Sequence, residues 1–143
     1  MKKCSEVMTK DPACCLPTDT VAKAAQWMRD EKVGSIPVIE NQKTKKLVGI
    51  VTDRDLALEV IADGRDIKAT KVADVMTQEV VTCNVNDDVQ SAVDAMADHQ
   101  LRRIPVVDAD QKIVGIISQA DVATRIDEPQ ETAKMVKEIS QPA

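Results

Sequence analysis

The stretches VGIVTDRDLA (48–57) and VGIISQADVA (114–123) share one pattern: an apolar run holding a glycine, then a hydroxyl residue, then an aspartate three places on. The residues are Gly49, Thr52 and Asp55 in one copy and Gly115, Ser118 and Asp121 in the other. Each run reads as a strand that passes directly into a helix. At such a junction the first backbone N–H groups lack partners and the helix dipole is positive, which suits a phosphate. A carboxylate in the first helical turn can accept two hydrogen bonds from a diol such as ribose. The same spacing has a second physical reading. Thr52-x-x-Asp55 and Ser118-x-x-Asp121 are acidic versions of a capping box, worth about 1 kcal/mol to each helix with no ligand at all. Both readings can hold together.

Other chemistry finds little support. The single histidine, His99, follows an apolar helical stripe and reads as a helix C-terminal residue. Cys4, Cys14, Cys15 and Cys83 show no C-x-x-C spacing and lie far from His99, which argues against a zinc site. All four read as reduced thiols, since a Cys14–Cys15 bond would be strained. No Ser or Cys nucleophile is accompanied by a recognisable base, and neither G-x-G-x-x-G nor a P-loop occurs. The expectation is a protein that is not an enzyme.

The junctions belong to a longer repeat. CSEVMT (4–9) returns as VADVMT (72–77), and SIPVIE (35–40) returns as RIPVVD (103–108), both offset by 68. The junctions are offset by 66, because the turn NQKTKK is matched by the shorter ADQK. In each copy an amphipathic helix comes first: Val21, Ala24, Ala25 and Met28, then Val89, Ala92, Val93 and Met96. Thr18 is the N-cap candidate of the first helix. Two β-branched runs follow as a hairpin, IPVI with LVGIV and IPVV with IVGII. Pro37 and Pro105 suggest edge strands or strand beginnings. DRDLALEVIADG and QADVATRI are the closing helices, with Gly64 as the C-cap of the first. EVVTC (79–83) reads as one more strand. The segment 65–74 is a short connection, and 129–143 carries Met135, Val136 and Ile139 in a pattern that suits a short amphipathic helix.

Composition sets the bounds. The chain has 143 residues, a hydrophobic share of 43%, one Trp, and neither Tyr nor Phe, so Val, Ile, Leu, Met and Ala must build its core. Aromatic stacking on bases is nearly excluded. A formal net charge of −5 argues against a general nucleic-acid or anionic-membrane binder. Every apolar run is too short for a membrane span and none resembles a signal peptide, which leads to the expectation of a cytoplasmic protein.

The VMT starts at 7–9 and 75–77, the IPV strands at 36–38 and 104–106, and the doubled G-h-h-[ST]-x-x-D junction resemble the CBS (cystathionine β-synthase) domain, here as a tandem pair or Bateman module. The resemblance spans roughly 4–126. It implies an α+β fold of two β-α-β-β-α repeats packed sheet to sheet with pseudo-twofold symmetry and one shared core. The expected divisions are 1–66, 67–126 and a C-terminal helical tail, 127–143. It further implies an adenosine-containing ligand (AMP, ADP or ATP, with S-adenosylmethionine or NAD as other members of the class) in the clefts between repeats, and no metal needed for the fold. The implied role is regulation of a separate, unidentified partner; the alternative is a ligand-free interaction module. By resemblance, Asp55 and Asp121 hold ribose, while Thr52 and Ser118 touch the ribose-phosphate region. Arg102 and Arg103, followed by Ile104, resemble phosphate-reaching positions. The segments from Thr9 through Pro12 to Ala13 and from Thr77 to Val81 resemble those that frame the base through main-chain contacts. The first copy has Gly34 and Ser35 where the second has Arg102 and Arg103, so the second junction is the expected site. The closing helix DLALEVIA is apolar on more than one face, and Trp27 lies off its stripe, which together predict a homodimer.

Overall fold

Helix α2 (Val21–Glu31) forms where the apolar stripe predicts, and Val21, Ala24 and Met28 are buried along it. Its N-cap is Thr20, whose hydroxyl accepts from the Lys23 N–H at 3.2 Å, and not Thr18. The preceding residues are held in a turn, because Asp19 accepts the Leu16 N–H at 2.8 Å. Ala25 faces solvent. Trp27 instead packs against the core, with the Lys23 ammonium 4.9 Å above its ring, so its place off the stripe needs no partner to explain it.

The computed structural model describes residues 2–126 and 129–140, with the side chains of 129–131 outside that description. Its secondary structure is mixed α+β and forms two compact units. One is continuous, Ala13–Val80; the other is discontinuous, joining Met1–Pro12 to Val81–Ala143. Where the sequence suggests one shared core, the buried side chains gather in two clusters, one in each unit.

In the continuous unit, β2 (Ser35–Ile39) and β3 (Leu47–Thr52) pair antiparallel. Cys15 bridges β2 in parallel at Val38, and Thr77 bridges β3 antiparallel at Ile50. Helix α3 (Asp53–Leu56) follows β3 and widens into a π-helical turn, Ala57–Ile61. Gly64, at φ 67°, ends it as a left-handed residue. Residues 65–74 are more than a connection: Thr70 and Ile67 carbonyls accept from Val21 and Ala22 at the start of α2, and Val72–Asp74 form a 3₁₀ turn.

The discontinuous unit repeats that plan. Its four-stranded sheet has the order β1 (Thr9–Lys10), β6 (Ile113–Ser118), β5 (Arg103–Val107), β4 (Cys83–Asn84). β1/β6 and β6/β5 are antiparallel, β5/β4 parallel. The expected strand 79–83 shrinks to Cys83–Asn84. Pro105 lies on a strand flanked on both sides, not on an edge, yet β4 meets β5 only at Val106 and Val107, beyond the missing proline N–H. Helix α1 (Cys4–Val7) precedes β1, and α4 (Val89–Asp98) buries Val89, Ala92, Val93 and Met96. Helix α5 (Gln119–Arg125) continues from β6. Helix α6 (Pro129–Ile139) supplies buried Met135 and Ile139 to the same core. The expected tail therefore forms a helix over 129–139, while 127–128 and 141–143 lie outside the described residues.

The compact units thus cut across the sequence repeats. The first VMT segment joins the sheet of the second repeat, through Thr9↔Ile116, and the second VMT segment joins the first repeat, through Thr77↔Ile50.

Candidate nucleotide site at the strand-to-helix junctions

Both junctions fold as their local sequence dictates. Ser118 caps α5: its hydroxyl accepts the Asp121 N–H at 3.0 Å, and Asp121 Oδ2 accepts the Ser118 N–H at 3.0 Å. Thr52 and Asp55 make the same reciprocal pair on α3, at 3.0 and 2.9 Å. The capping reading is therefore realised twice, and it aims both carboxylates back toward the strand end.

The surroundings then diverge. Asp121 is 9% exposed, while Asp55 is half-buried. The Thr9 hydroxyl donates to both Asp121 oxygens, at 3.2 and 3.3 Å. Arg125, one helical turn on, stands 3.8 Å from Asp121 Oδ1. Its guanidinium also donates to the Val7 and Met8 carbonyls, at 2.9 Å each. Thr9 and Arg125 thus couple Asp121 to the main chain of 7–9. Arg125 was not among the sequence candidates, although its i, i+4 spacing from Asp121 was a visible signal. The matching position in the first repeat is Glu59.

Gly49 and Gly115 have a role the motif alone does not explain. A Cβ on Gly115 would sit 2.5 Å from Met8 Sδ and 2.9 Å from the Thr9 carbonyl. On Gly49 it would sit 2.7 Å from Met76 Sδ and 3.0 Å from the Thr77 carbonyl. Each glycine leaves room for a VMT segment to lie against the strand.

Of the sequence candidates, the discontinuous unit holds Thr9, Pro12, Val81, Arg102, Arg103, Ile104, Ser118 and Asp121. The continuous unit holds Ala13, Thr52, Asp55 and Thr77. Around the second junction, Arg103 is the cross-strand neighbour of Ser118, and the Arg102 carbonyl accepts the Gln119 N–H at 2.9 Å. Arg102 is exposed and Arg103 half-buried. Ile104 is fully buried in the core, so only its main chain can meet a ligand. Val81 also packs against that core. In the first junction, Gly34 and Ser35 stand in place of the arginines, and the Gly34 carbonyl accepts the Asp53 N–H at 2.9 Å. Thr77 is exposed and its backbone pairs with Ile50. A shallow groove of about 290 Å³ between α4 and α6, lined by Asp94, Asp98, Lys134 and Glu138 among others, includes none of these candidates.

The thiols are unbridged in this structure, with Cys4, Cys15 and Cys83 buried. Burial pushes Cys14 up to about 11 and Cys15 up to about 12. Among the described residues no group of three or more His, Cys, Asp or Glu side chains is placed to hold a metal ion, and no helix is long and apolar enough to cross a membrane.

The chain is similar to known proteins over most of its length. The family model described as the CBS domain matches residues 4–62 and again 72–128. A CBS domain-containing protein of Bacillus subtilis, YhcV, is 41% identical over 123 residues, covering 86% of this chain and 84% of that protein. The crystal structure of Hypoxic Response Protein I with two coordinated zinc ions superposes with a TM-score of 0.77 at 28% identity, covering 88% of this chain and all of that one. The crystal structure of CBSX2 in complex with AMP gives a TM-score of 0.73 at 27% identity, covering 87% of this chain and 96% of that one.

Proposed function

Because the chain belongs to the CBS-domain family and carries that domain twice, we propose that it is a regulatory module that binds an adenosine-containing ligand and passes its occupancy to a separate protein. The observation that carries this reading is the Asp121 carboxylate. It is nearly buried, aimed by Ser118, and tied to the chain segment at Thr9. A carboxylate has about four lone-pair sites; the Ser118 N–H takes one and the single Thr9 hydroxyl proton, settling on one oxygen, takes another, which leaves two for a ribose diol. Arg103, across the strand pair from Ser118, supplies a guanidinium fork suited to phosphate oxygens. The complex of CBSX2 with AMP supports the ligand class. The role is binding and not catalysis, and the setting is the cytoplasm. The protein acts as a homodimer through the exposed apolar side chains of the π-turn and its flank, Leu58, Ile61 and Ile67.

Calorimetric titration with adenosine, AMP and ATP tests the site. Asp121→Ala should weaken all three by roughly 10- to 100-fold, the scale of hydrogen bonds to a charged group. Arg103→Ala should cost ATP more than adenosine, and Asp55→Ala should matter less than Asp121→Ala. Equal losses at Asp55 and Asp121, or none at Asp121, would displace the site. The capping boxes favour a second reading, in which the junctions only start helices and the chain is an interaction module. A wild type that binds no adenosyl compound would select it.

A further inference from the structure

Cys4 and Cys83 are used by neither junction, yet the fold brings them together. They are 79 positions apart in sequence and share one core cluster, at 0% and 5% exposure. The backbone holds their segments side by side. The Cys4 N–H donates to the Asp87 carbonyl at 2.9 Å, the Ser5 N–H to the Val85 carbonyl at 3.1 Å, and Lys3 bridges Asp88. Each thiol is the neighbour that most perturbs the other. Each also lies 3.8 Å from a backbone carbonyl, Cys4 from that of Asp88 and Cys83 from that of Pro105.

We propose that Cys4 and Cys83 are a modification site: hydrogen peroxide oxidises them to a disulfide that staples the first twelve residues to β4. The adjacent Cys83 thiol holds Cys4 below its usual range, against the effect of burial, whereas the Cys4 neighbour and burial push Cys83 well above it. Cys4 is therefore the attacking thiolate. It bonds to one peroxide oxygen; the O–O bond breaks, and the departing hydroxide leaves as water after taking up a proton. The Cys83 sulfur then attacks the Cys4 sulfenic acid. The S–S bond forms, the S–O bond breaks, and a second water carries off the Cys83 proton. The pair loses two electrons, and one peroxide becomes two waters. Access comes through opening of α1, which at four residues cannot hold itself as a helix. Cys14 and Cys15 stay protonated and cannot compete as thiolates.

The staple closes a covalent loop containing the whole sequence of the continuous unit, and long loops restrict the unfolded chain most. The test uses the full chain, reduced and then treated with hydrogen peroxide. Alkylation in denaturant followed by peptide mapping should show the Cys4 and Cys83 peptides linked and Cys14 and Cys15 alkylated. The double variant Cys14→Ala/Cys15→Ala should form the same link, and Cys4→Ala should not. Oxidised wild type should melt roughly 5–15 °C higher, reversibly with dithiothreitol. Alkylatable Cys4 and Cys83 after peroxide treatment, links to Cys14 or Cys15, a link between chains, or an unchanged melting temperature would each overturn the proposal.

Discussion

Asp55 and Asp121 occupy matching positions in matching motifs, and each accepts the N–H of its capping partner. What separates them is their company. Asp121 gains Thr9 and Arg125, and becomes nearly buried; Asp55 stands in a helix whose matching residue is Glu59. Like charge at that place cannot neutralise a carboxylate. Arg125 contributes through its two 2.9 Å bonds to main-chain carbonyls more than through Asp121, since its side chain is 45% exposed and the ion pair is 3.8 Å long. Arg125→Ala should therefore lower stability by about 1–2 kcal/mol in urea unfolding, and Arg125→Lys should recover only part of it, because one ammonium lacks the fork. An Arg125→Ala protein as stable as wild type would show that the carbonyl bonds contribute nothing net.

β1 is only two residues long and depends on the strand it joins. Its pairs are Thr9↔Ile116 and Lys10↔Gly115, and the glycine is what lets Met8 and Thr9 approach. Gly115→Ala places a methyl 2.5 Å from Met8 Sδ and 2.9 Å from a backbone oxygen. The sulfur can swing aside; the backbone cannot without parting β1 from β6. The expected cost is about 1–3 kcal/mol by chemical denaturation, as for other overpacked sites. Faster amide exchange at the β1–β6 pairs should accompany it. Unchanged exchange there would mean that the strand tolerates the extra atom. The short helices follow the same logic in reverse: α3 has four residues and both capping-box bonds, so local bonds carry what length does not.

The chain exchanges its segments between repeats, so neither sequence half is a structural unit. Residues up to Pro12 belong with the second repeat, and Val72–Val80 belong with the first. The continuous unit leaves Leu58 47%, Ile61 74% and Ile67 50% exposed, large apolar side chains on or just after the π-turn. A second copy covering them is the proposed assembly. Leu58→Glu/Ile61→Glu should shift the protein to monomer in sedimentation velocity at micromolar concentration, with its melting transition still cooperative. A wild type that is already monomeric, or a variant that still dimerises, would place the interface elsewhere.

The two long amphipathic helices, the two hairpins and both capping boxes were legible in the sequence because they are local. A stripe at i, i+3, i+4, i+7 buries Val89, Ala92, Val93 and Met96 wherever the helix lies, and Ser118 finds Asp121 three residues away. The cap of α2 slipped from Thr18 to Thr20, since two threonines flank Asp19 and only the turn at Leu16 chooses between them. Trp27 read as a partner-facing residue until the core it leans on was in place. Arg102 and Arg103 already singled out the second junction in the sequence; what the tertiary structure alone supplied is the company of Asp121. Thr9 reaches Asp121 across 112 positions, and Arg125 reaches Val7 across 118. Contacts at such separation leave no period in the sequence. They arise because a two-residue strand, too short to stand alone, must borrow a sheet, and the glycine of the second repeat gives it room to do so.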